Sequence, residues 1–282
     1  MIHFVITGDA LSAGTEMMDA EVFPNYNLLL EQFRGKELNE RRIYRWRLQA
    51  QWGLKHFKTG AQRKSLDDGS FIRSVVNCYV RREKNLSWPA QLPNHYRDRS
   101  VKVTNLAQKG ASFKRSCLMF DRFIRYNSNT GTRIAIHQLP DIRRTYFKHH
   151  GKILRVVDPY HLATLNFIKN PLEDETNLRA VALDRYRAVE ERDKKSGYFL
   201  RAFEKQLNIM ERLAYANNIK NFYICEDPAQ AQLIDPDRII IPNFKMVRQA
   251  IAYPRGLTDN IISRAYNEMV CGAIKKKLEL LI

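Results

Sequence analysis

The sequence lacks the features that mark several well-defined classes of protein. Its four cysteines lie far apart and none is in a Cys-x-x-Cys pair, which excludes a zinc ribbon and a disulfide framework. No apolar run approaches the roughly 20 residues that a membrane-spanning helix needs. The first residues carry no positive segment of the kind that opens a signal peptide. We therefore expect an intracellular protein, in a cytoplasm or nucleoid, that is not secreted and has no transmembrane segment.

Glycine-rich phosphate-binding motifs are also missing. The apolar run Ile2–Thr7 is typical of a short buried strand and ends at Gly8 and Asp9. Neither GxGxxG nor GxxxxGK[ST] follows it, so the beginning of the chain does not predict a standard nucleotide-binding loop. Asp9, at the end of the predicted strand, could ligate a metal ion, although a turn residue is the ordinary role of aspartate there.

Positive charge is abundant, and it is segregated along the chain. The 282 residues include 47 Lys and Arg against 30 Asp and Glu, a formal charge of +17. Residues 1–33 contain no Lys or Arg, whereas residues 34–64 and 97–155 are strongly basic. Such an excess repels itself in a compact protein. Two basic blocks are typical of a surface that binds a phosphate backbone.

The first basic block predicts an amphipathic helix over residues 38–58. One face carries an apolar stripe, and another is cationic with Trp52 in its middle, which suits phosphate oxygens and a stacked base. The alternative is a solvated helix whose Trp52 packs in a core. The candidate nucleic-acid-binding residues of this block are Arg41, Arg42, Arg45, Arg47, Trp52, Lys55, Lys58, Arg63 and Lys64.

The second basic block predicts a small antiparallel sheet. Residues 122–126 and 132–137 flank an Asn- and Gly-rich turn, and residues 144–148 and 153–157 form a second candidate hairpin. Basic residues interleave with aromatic ones, which suits a bent duplex or single-stranded bases. An ordinary half-buried sheet with a solvated face would show the same pattern. The candidate binding residues here are Arg125, Arg133, Arg143, Arg144, Lys148, Lys152 and Arg155.

Carboxylates that could hold a divalent ion occur in two places. The pair Asp67 and Asp68 precedes a predicted helix, where an N-cap is the ordinary role. A second group lies between two short predicted strands at 221–225 and 238–241, where a metal-dependent nuclease could place its acids and where acidic turns are the alternative. That group consists of Glu226, Asp227, Asp235 and Asp237. The histidines have no spacing that joins two ring nitrogens to one ion, so no metal site is predicted.

The order of these elements predicts an α+β fold, predominantly helical, with a small antiparallel sheet in the middle and short strands near both ends. Residues 1–85 form a helical part, residues 97–170 the basic sheet region, and residues 171–282 a helical hairpin, two short strands and a C-terminal helix. The three regions either fold separately or form one compact body.

We expect a protein that binds nucleic acid through its two basic blocks. One alternative is a metal-dependent enzyme that processes nucleic acid, a nuclease or a nucleotide- or base-modifying transferase, with Mg²⁺ as its cofactor. Another is a subunit of a nucleoprotein assembly, in which the hairpin at 177–218 docks a protein partner. The choice between DNA and RNA stays open, because the 2′-hydroxyl is read by a few positioned side chains.

Overall fold

The computed structural model describes residues 1–8, 85, 87–108, 111–127, 132–149, 152–156, 175–247 and 264–279. The chain divides into two compact units. One comprises residues 1–13, 92–247 and 272–282, and the other comprises residues 14–91 and 248–271. All the strands described below belong to the first unit. Within the described residues, no helix combines the length and the apolar composition needed to cross a bilayer.

The first unit is built on a parallel sheet. The described strands are β1 (Ile2–Thr7), β2 (Val101–Asn105), β3 (Thr132–Gln138), β4 (Thr145–His149), β5 (Lys152–Val156), β6 (Ile219–Ile224) and β7 (Ile239–Ile241). Five of them form one sheet in the order β2-β1-β3-β6-β7, and every neighbouring pair is parallel. Strands β4 and β5 form a separate antiparallel pair, in which His149 lies opposite Lys152.

The predicted α+β fold is therefore wrong, and the protein has an α/β layout. Residues 122–126 do not form a hairpin strand, because they are the last part of a helix that ends at Tyr126. Residues 132–138, predicted as the partner of that strand, form the central strand of the parallel sheet. The second predicted hairpin is present as β4 and β5, but it is not the main sheet.

The described helices are α1 (Trp88–Gln91), α2 (Phe113–Tyr126), α3 (Glu175–Ser196), α4 (Tyr198–Ala216), α5 (Pro228–Ala231) and α6 (Arg264–Leu278). Short 3₁₀ helices occupy Leu92–His95 and Pro236–Arg238. The predicted helical hairpin is confirmed as α3 and α4. Gly197 makes the turn between them at a φ of 57°, a left-handed conformation in which glycine has no steric cost.

Helices α2 and α4 cover one face of the sheet. Their apolar residues recur at helical spacing and pack with alternate residues of β1, β3 and β6 in one core. Phe113 of α2 and Phe203 of α4 lie with ring centroids 4.9 Å apart. The other face is also buried, since Phe4, Ile6 and Ile136 are inaccessible to solvent. Burial on both faces explains why these strands read as continuous apolar runs.

Candidate functional site

The strand order places a topological switch point between β1 and β3. Strand β2 lies beyond β1 and strand β6 lies beyond β3, so the chain connections leave this pair in opposite directions. In open parallel sheets, ligands bind in the crevice at the carboxyl ends of such a pair. Here β1 ends at Thr7 and β3 ends at Gln138. Asp9, a possible metal ligand in the sequence, follows β1 by two residues and lies outside the described residues.

The neighbouring part of this carboxyl edge, between β3 and β6, is filled by Gln230. Its side chain is buried, and its Nε2 donates a hydrogen bond of 2.7 Å to the carbonyl of Pro140. Its Oε1 accepts from the backbone N–H of Glu226 at 2.6 Å. These bonds satisfy both ends of the amide, so Gln230 holds the loops together here.

A chain of hydrogen-bonded side chains crosses the sheet beside the switch point. Thr7 Oγ1 lies 2.8 Å from His137 Nδ1, and His137 Nε2 lies 3.0 Å from Asn221 Oδ1. Asn221 Nδ2 lies 3.2 Å from the hydroxyl of Tyr223, which donates to Glu211. Glu211 also accepts a hydrogen bond from Arg238 at the surface. We call this set the buried polar chain: Thr7, His137, Asn221, Tyr223, Glu211 and Arg238.

The register of the strands explains why these residues meet. Thr7 of β1 and Tyr223 of β6 are the Cα partners of His137 on its two sides. Asn221 stands two residues before Tyr223 and therefore points to the same face of the sheet. The buried polar chain thus joins β1, β3 and β6 by side-chain hydrogen bonds across a largely apolar core.

Burial controls the ionisation of His137 and Tyr223 in the buried polar chain. Burial lowers the pKa of His137 to about 4, and the hydrogen bond to Asn221 and the charge of Glu211 oppose that shift only in part. The imidazole is therefore neutral near pH 7. Asn221 Oδ1 is an acceptor, so the ring carries its proton on Nε2 and accepts from Thr7 at Nδ1. Burial, followed by the charge of Glu211, raises the pKa of Tyr223.

Replacing Asn221 by leucine should destabilise the protein by about 2–3 kcal/mol. The substitution leaves the buried Nε2–H of His137 without its acceptor and removes the bond that Asn221 donates to the Tyr223 hydroxyl. An unsatisfied buried group costs roughly 1–3 kcal/mol. The matched control is Asn208→Leu on the exposed side of α4. Urea unfolding of both variants measures the difference. Equal stability of the two would show that the buried polar chain contributes nothing.

The four acids predicted between the last two strands do not form one site. Glu226 and Asp227 follow β6 at the carboxyl edge, whereas Asp235 and Asp237 precede β7, whose first residue, Ile239, pairs with Tyr223 near the end of β6. Asp227 caps α5 by accepting from the N–H of Gln230, and Asp235 accepts from the N–H of Asp237. In the described part of the chain, no three His, Cys, Asp or Glu side chains come together to hold a metal ion.

Cations gather at the opposite, amino edge of the sheet. Arg125 lies in the last turn of α2 and Arg122 three residues before it, and both are exposed at the end of the helix that precedes β3. Lys102 is the second residue of β2 and Arg133 is the second residue of β3, so both lie at the start of their strands. Asp121 pairs with Arg125 at 3.0 Å, and both partners are partly or largely exposed, so this pair is weak. We call Lys102, Arg122, Arg125 and Arg133 the basic surface.

The positive charge at this edge affects the pKa of His3. Its Cα partners are Lys102 on one side and Arg133 on the other, and all three side chains point to the face covered by α2. The pKa of His3 is lowered by burial and then by the charges of Lys102 and Arg133. Its Nε2 lies 2.8 Å from Thr104 Oγ1, and its ring meets the Phe123 ring edge-on at 5.7 Å.

The other predicted binding residues lie at the carboxyl edge, on the β4–β5 pair or outside the described residues. Arg143 is exposed in the turn after β3, where its N–H bonds to Asp141, and Arg144 is half-buried beside it. Both follow β3, so they lie at the carboxyl edge and away from the basic surface. Lys148, Lys152 and Arg155 lie on the β4–β5 pair, of whose side chains nothing is described. The predictions for residues 41–64 and for Asp67 and Asp68 fall outside the described residues.

Sequence reasoning missed Lys102, Arg122 and the buried polar chain. Lys102 was not a candidate because residues 101–105 had not been predicted as a strand. The helical spacing of Phe113, Cys117 and Phe120 was a signal for α2, and it would have placed Arg122 and Arg125 in one exposed turn.

Comparisons with known proteins assign no family. No protein-family model matches the chain, and no curated protein matches it either.

Proposed function

We propose that the protein binds nucleic acid at the amino edge of its parallel sheet. The observation that carries the proposal is the basic surface, where four cations from β2, β3 and α2 meet at one edge. Lys102 and Arg122 are both exposed, which suits contact with phosphate oxygens. The rigid sheet and helix fix the positions of these cations, which lowers the ordering cost of binding.

The formal charge of +17 supports this function, because most of the positive charge falls in two blocks of the sequence. Phosphate contacts supply much of the affinity of nucleic-acid-binding proteins and make it depend on salt. The predicted basic helix over residues 38–58 belongs to the same proposal as a second phosphate-binding segment. Whether the ligand is DNA or RNA depends on contacts to the 2′-hydroxyl.

Removing two cations of the basic surface should weaken binding and its salt dependence. We expect Lys102→Ala/Arg122→Ala to lower affinity about tenfold near 100 mM salt. The slope of log K against log salt should become less steep by about 1.5, since each lost phosphate contact contributes roughly 0.7–0.9. Fluorescence anisotropy with labelled oligonucleotides at several salt concentrations gives both quantities.

The matched control removes the same charge elsewhere. Arg201 and Lys205 are exposed in the first two turns of α4, which lie toward the carboxyl edge. Arg201→Ala/Lys205→Ala should change the salt slope much less than the other pair does. If the two double variants lose affinity equally, net charge alone drives binding and the basic surface is not the interface.

A second candidate function is metal-dependent processing of nucleic acid at the carboxyl edge. The switch point between β1 and β3 favours it, since this is where parallel sheets of this order hold ligands. In the sequence, Asp9 is two residues after Thr7, the last residue of β1. Labelled strands incubated with Mg²⁺ or with EDTA and separated on a gel test it. Cleavage that needs Mg²⁺ and is lost in Asp9→Asn would support this function, whereas intact strands under both conditions would rule it out.

A further inference from the structure

Two tyrosines at the amino edge are almost fully solvated. Tyr126 is 78% exposed and Tyr215 is 91% exposed, whereas Tyr186 and Tyr223 are completely buried. Tyr126 is the last residue of α2 and Tyr215 is the last but one of α4. Each helix ends just before a parallel strand, so both rings lie at the edge that carries the basic surface.

The two tyrosines also lie at one level along their helices. Helices α2 and α4 run in the same direction, and Cys117 Sγ contacts the carbonyl of Gln206 at 3.6 Å. Tyr126 and Tyr215 each stand nine residues beyond that contact, which is about 13 Å along each helix axis. Axes of packed helices are about 8–10 Å apart. Nine residues are two and a half turns, so each ring lies on the side of its helix away from the other helix, and a strand that reaches both rings crosses the ends of α2 and α4.

Cations flank both rings. The guanidinium carbon of Arg122 lies 6.0 Å from the centroid of the Tyr126 ring. Arg133 Nη2 donates a bond of 3.2 Å to the carbonyl of Asn217, two residues after Tyr215, and so links the basic surface to the end of α4. Arg212, three residues before Tyr215, is exposed. Aromatic rings among cations match a polynucleotide whose bases stack while its phosphates pair.

We propose that Tyr126 and Tyr215 stack with unpaired bases, and that the nucleic acid bound at the basic surface is single-stranded. This inference rests on the proposed function, which supplies the phosphate contacts. A duplex keeps its bases stacked inside the helix and offers the rings no face, whereas a single strand turns each base toward them. Stacking tolerates any base, because every base has an aromatic face. The site therefore selects for strandedness more than for sequence.

The test compares two double variants on two probes. Tyr126→Leu/Tyr215→Leu removes both rings but keeps apolar side chains, and Tyr126→Phe/Tyr215→Phe keeps the rings and removes only the hydroxyls. The probes are a fluorescent oligo(dT) of about 20 nucleotides and a duplex of about 20 base pairs. We expect the leucine variant to lose at least about tenfold in affinity for oligo(dT) and less than about twofold for the duplex. The phenylalanine variant should bind both probes like the wild type.

The remaining outcomes separate this inference from the proposed function. Unchanged affinity of the leucine variant for oligo(dT) would overturn stacking, and so would an equal loss in the phenylalanine variant. Equal losses on oligo(dT) and duplex would overturn the preference for single strands. If the wild type binds neither probe, the proposed function itself fails. If the wild type binds and only Lys102→Ala/Arg122→Ala weakens it, the proposed function stands and the stacking role is wrong.

Discussion

The free energy of unfolding should fall by about 3 kcal/mol between pH 6.5 and pH 4 because of His137 alone. In the folded protein, burial lowers the pKa of this imidazole to about 4 from its usual 6.5. As the pH falls through 6.5, the unfolded chain binds a proton at this residue while the folded chain does not, so unfolding becomes more favourable. The loss is complete near pH 4, where the folded protein also protonates. Each pKa unit corresponds to about 1.4 kcal/mol.

His137→Gln isolates this contribution, because glutamine can form hydrogen bonds but does not titrate. Other groups, including His3, titrate in both proteins and cancel in the comparison. Urea unfolding at several pH values between 4 and 7 should give a wild-type curve that falls more steeply than that of the variant. Parallel curves would mean that His137 has the same pKa folded and unfolded, and that it is not held neutral by burial.

Phe120→Ala should cost about 3–5 kcal/mol of stability. The side chain is fully buried between α2 and the sheet, and its ring meets the His137 ring edge-on at 5.0 Å. Truncation removes the buried apolar surface and leaves a cavity that the surrounding sheet cannot fill. The same cavity would let water reach the buried polar chain. Thermal and urea unfolding measure the loss.

The matched control for this substitution is Leu118→Ala on the same helix. Leu118 is 48% exposed on the outer side of α2, and its truncation should change stability by less than about 1 kcal/mol. A cost for Phe120→Ala as small as that for Leu118→Ala would contradict the packing of α2 on the sheet. Nucleic-acid binding of the Leu118 variant should be unchanged, since the basic surface is intact.

Local patterns in the sequence predicted individual elements well. The strand at Ile2–Thr7 is confirmed at its predicted bounds, because a short β-branched and apolar run next to a glycine has few alternatives. The hairpin of α3 and α4 is also confirmed, because its pattern is local to the two helices and their turn. Its second arm buries residues at steps of three and four, and Gly197 supplies the left-handed turn.

Pairing between distant strands could not be predicted in this way. Residues 132–137 read equally well as half of a hairpin or as a buried parallel strand, since both are short and apolar. Helix α2 decides between them, because it continues through residues 122–126 and leaves no local strand to pair with. Parallel strands need a crossover connection, and α2 supplies one between β2 and β3.

The candidate site depends on the same long-range pairing. His137 and Asn221 are 84 residues apart, and only the register of β3 with β6 brings their side chains together. The cations of the basic surface likewise come from three elements, β2, β3 and α2, which only the fold brings to one edge. Composition led to the prediction of a polyanionic partner, and the topology adds which edge of the sheet we propose as its binding site.

Ultraviolet crosslinking to oligo(dT), followed by mass spectrometry of the peptides, tests the central claim most directly. It locates the bound strand on the protein without any substitution. We predict adducts at the end of α2, around Arg122 and Tyr126, and at the end of α4, around Tyr215. Adducts confined to the carboxyl edge, in residues 139–144 and 226–234, would contradict the claim that nucleic acid binds at the amino edge of the sheet.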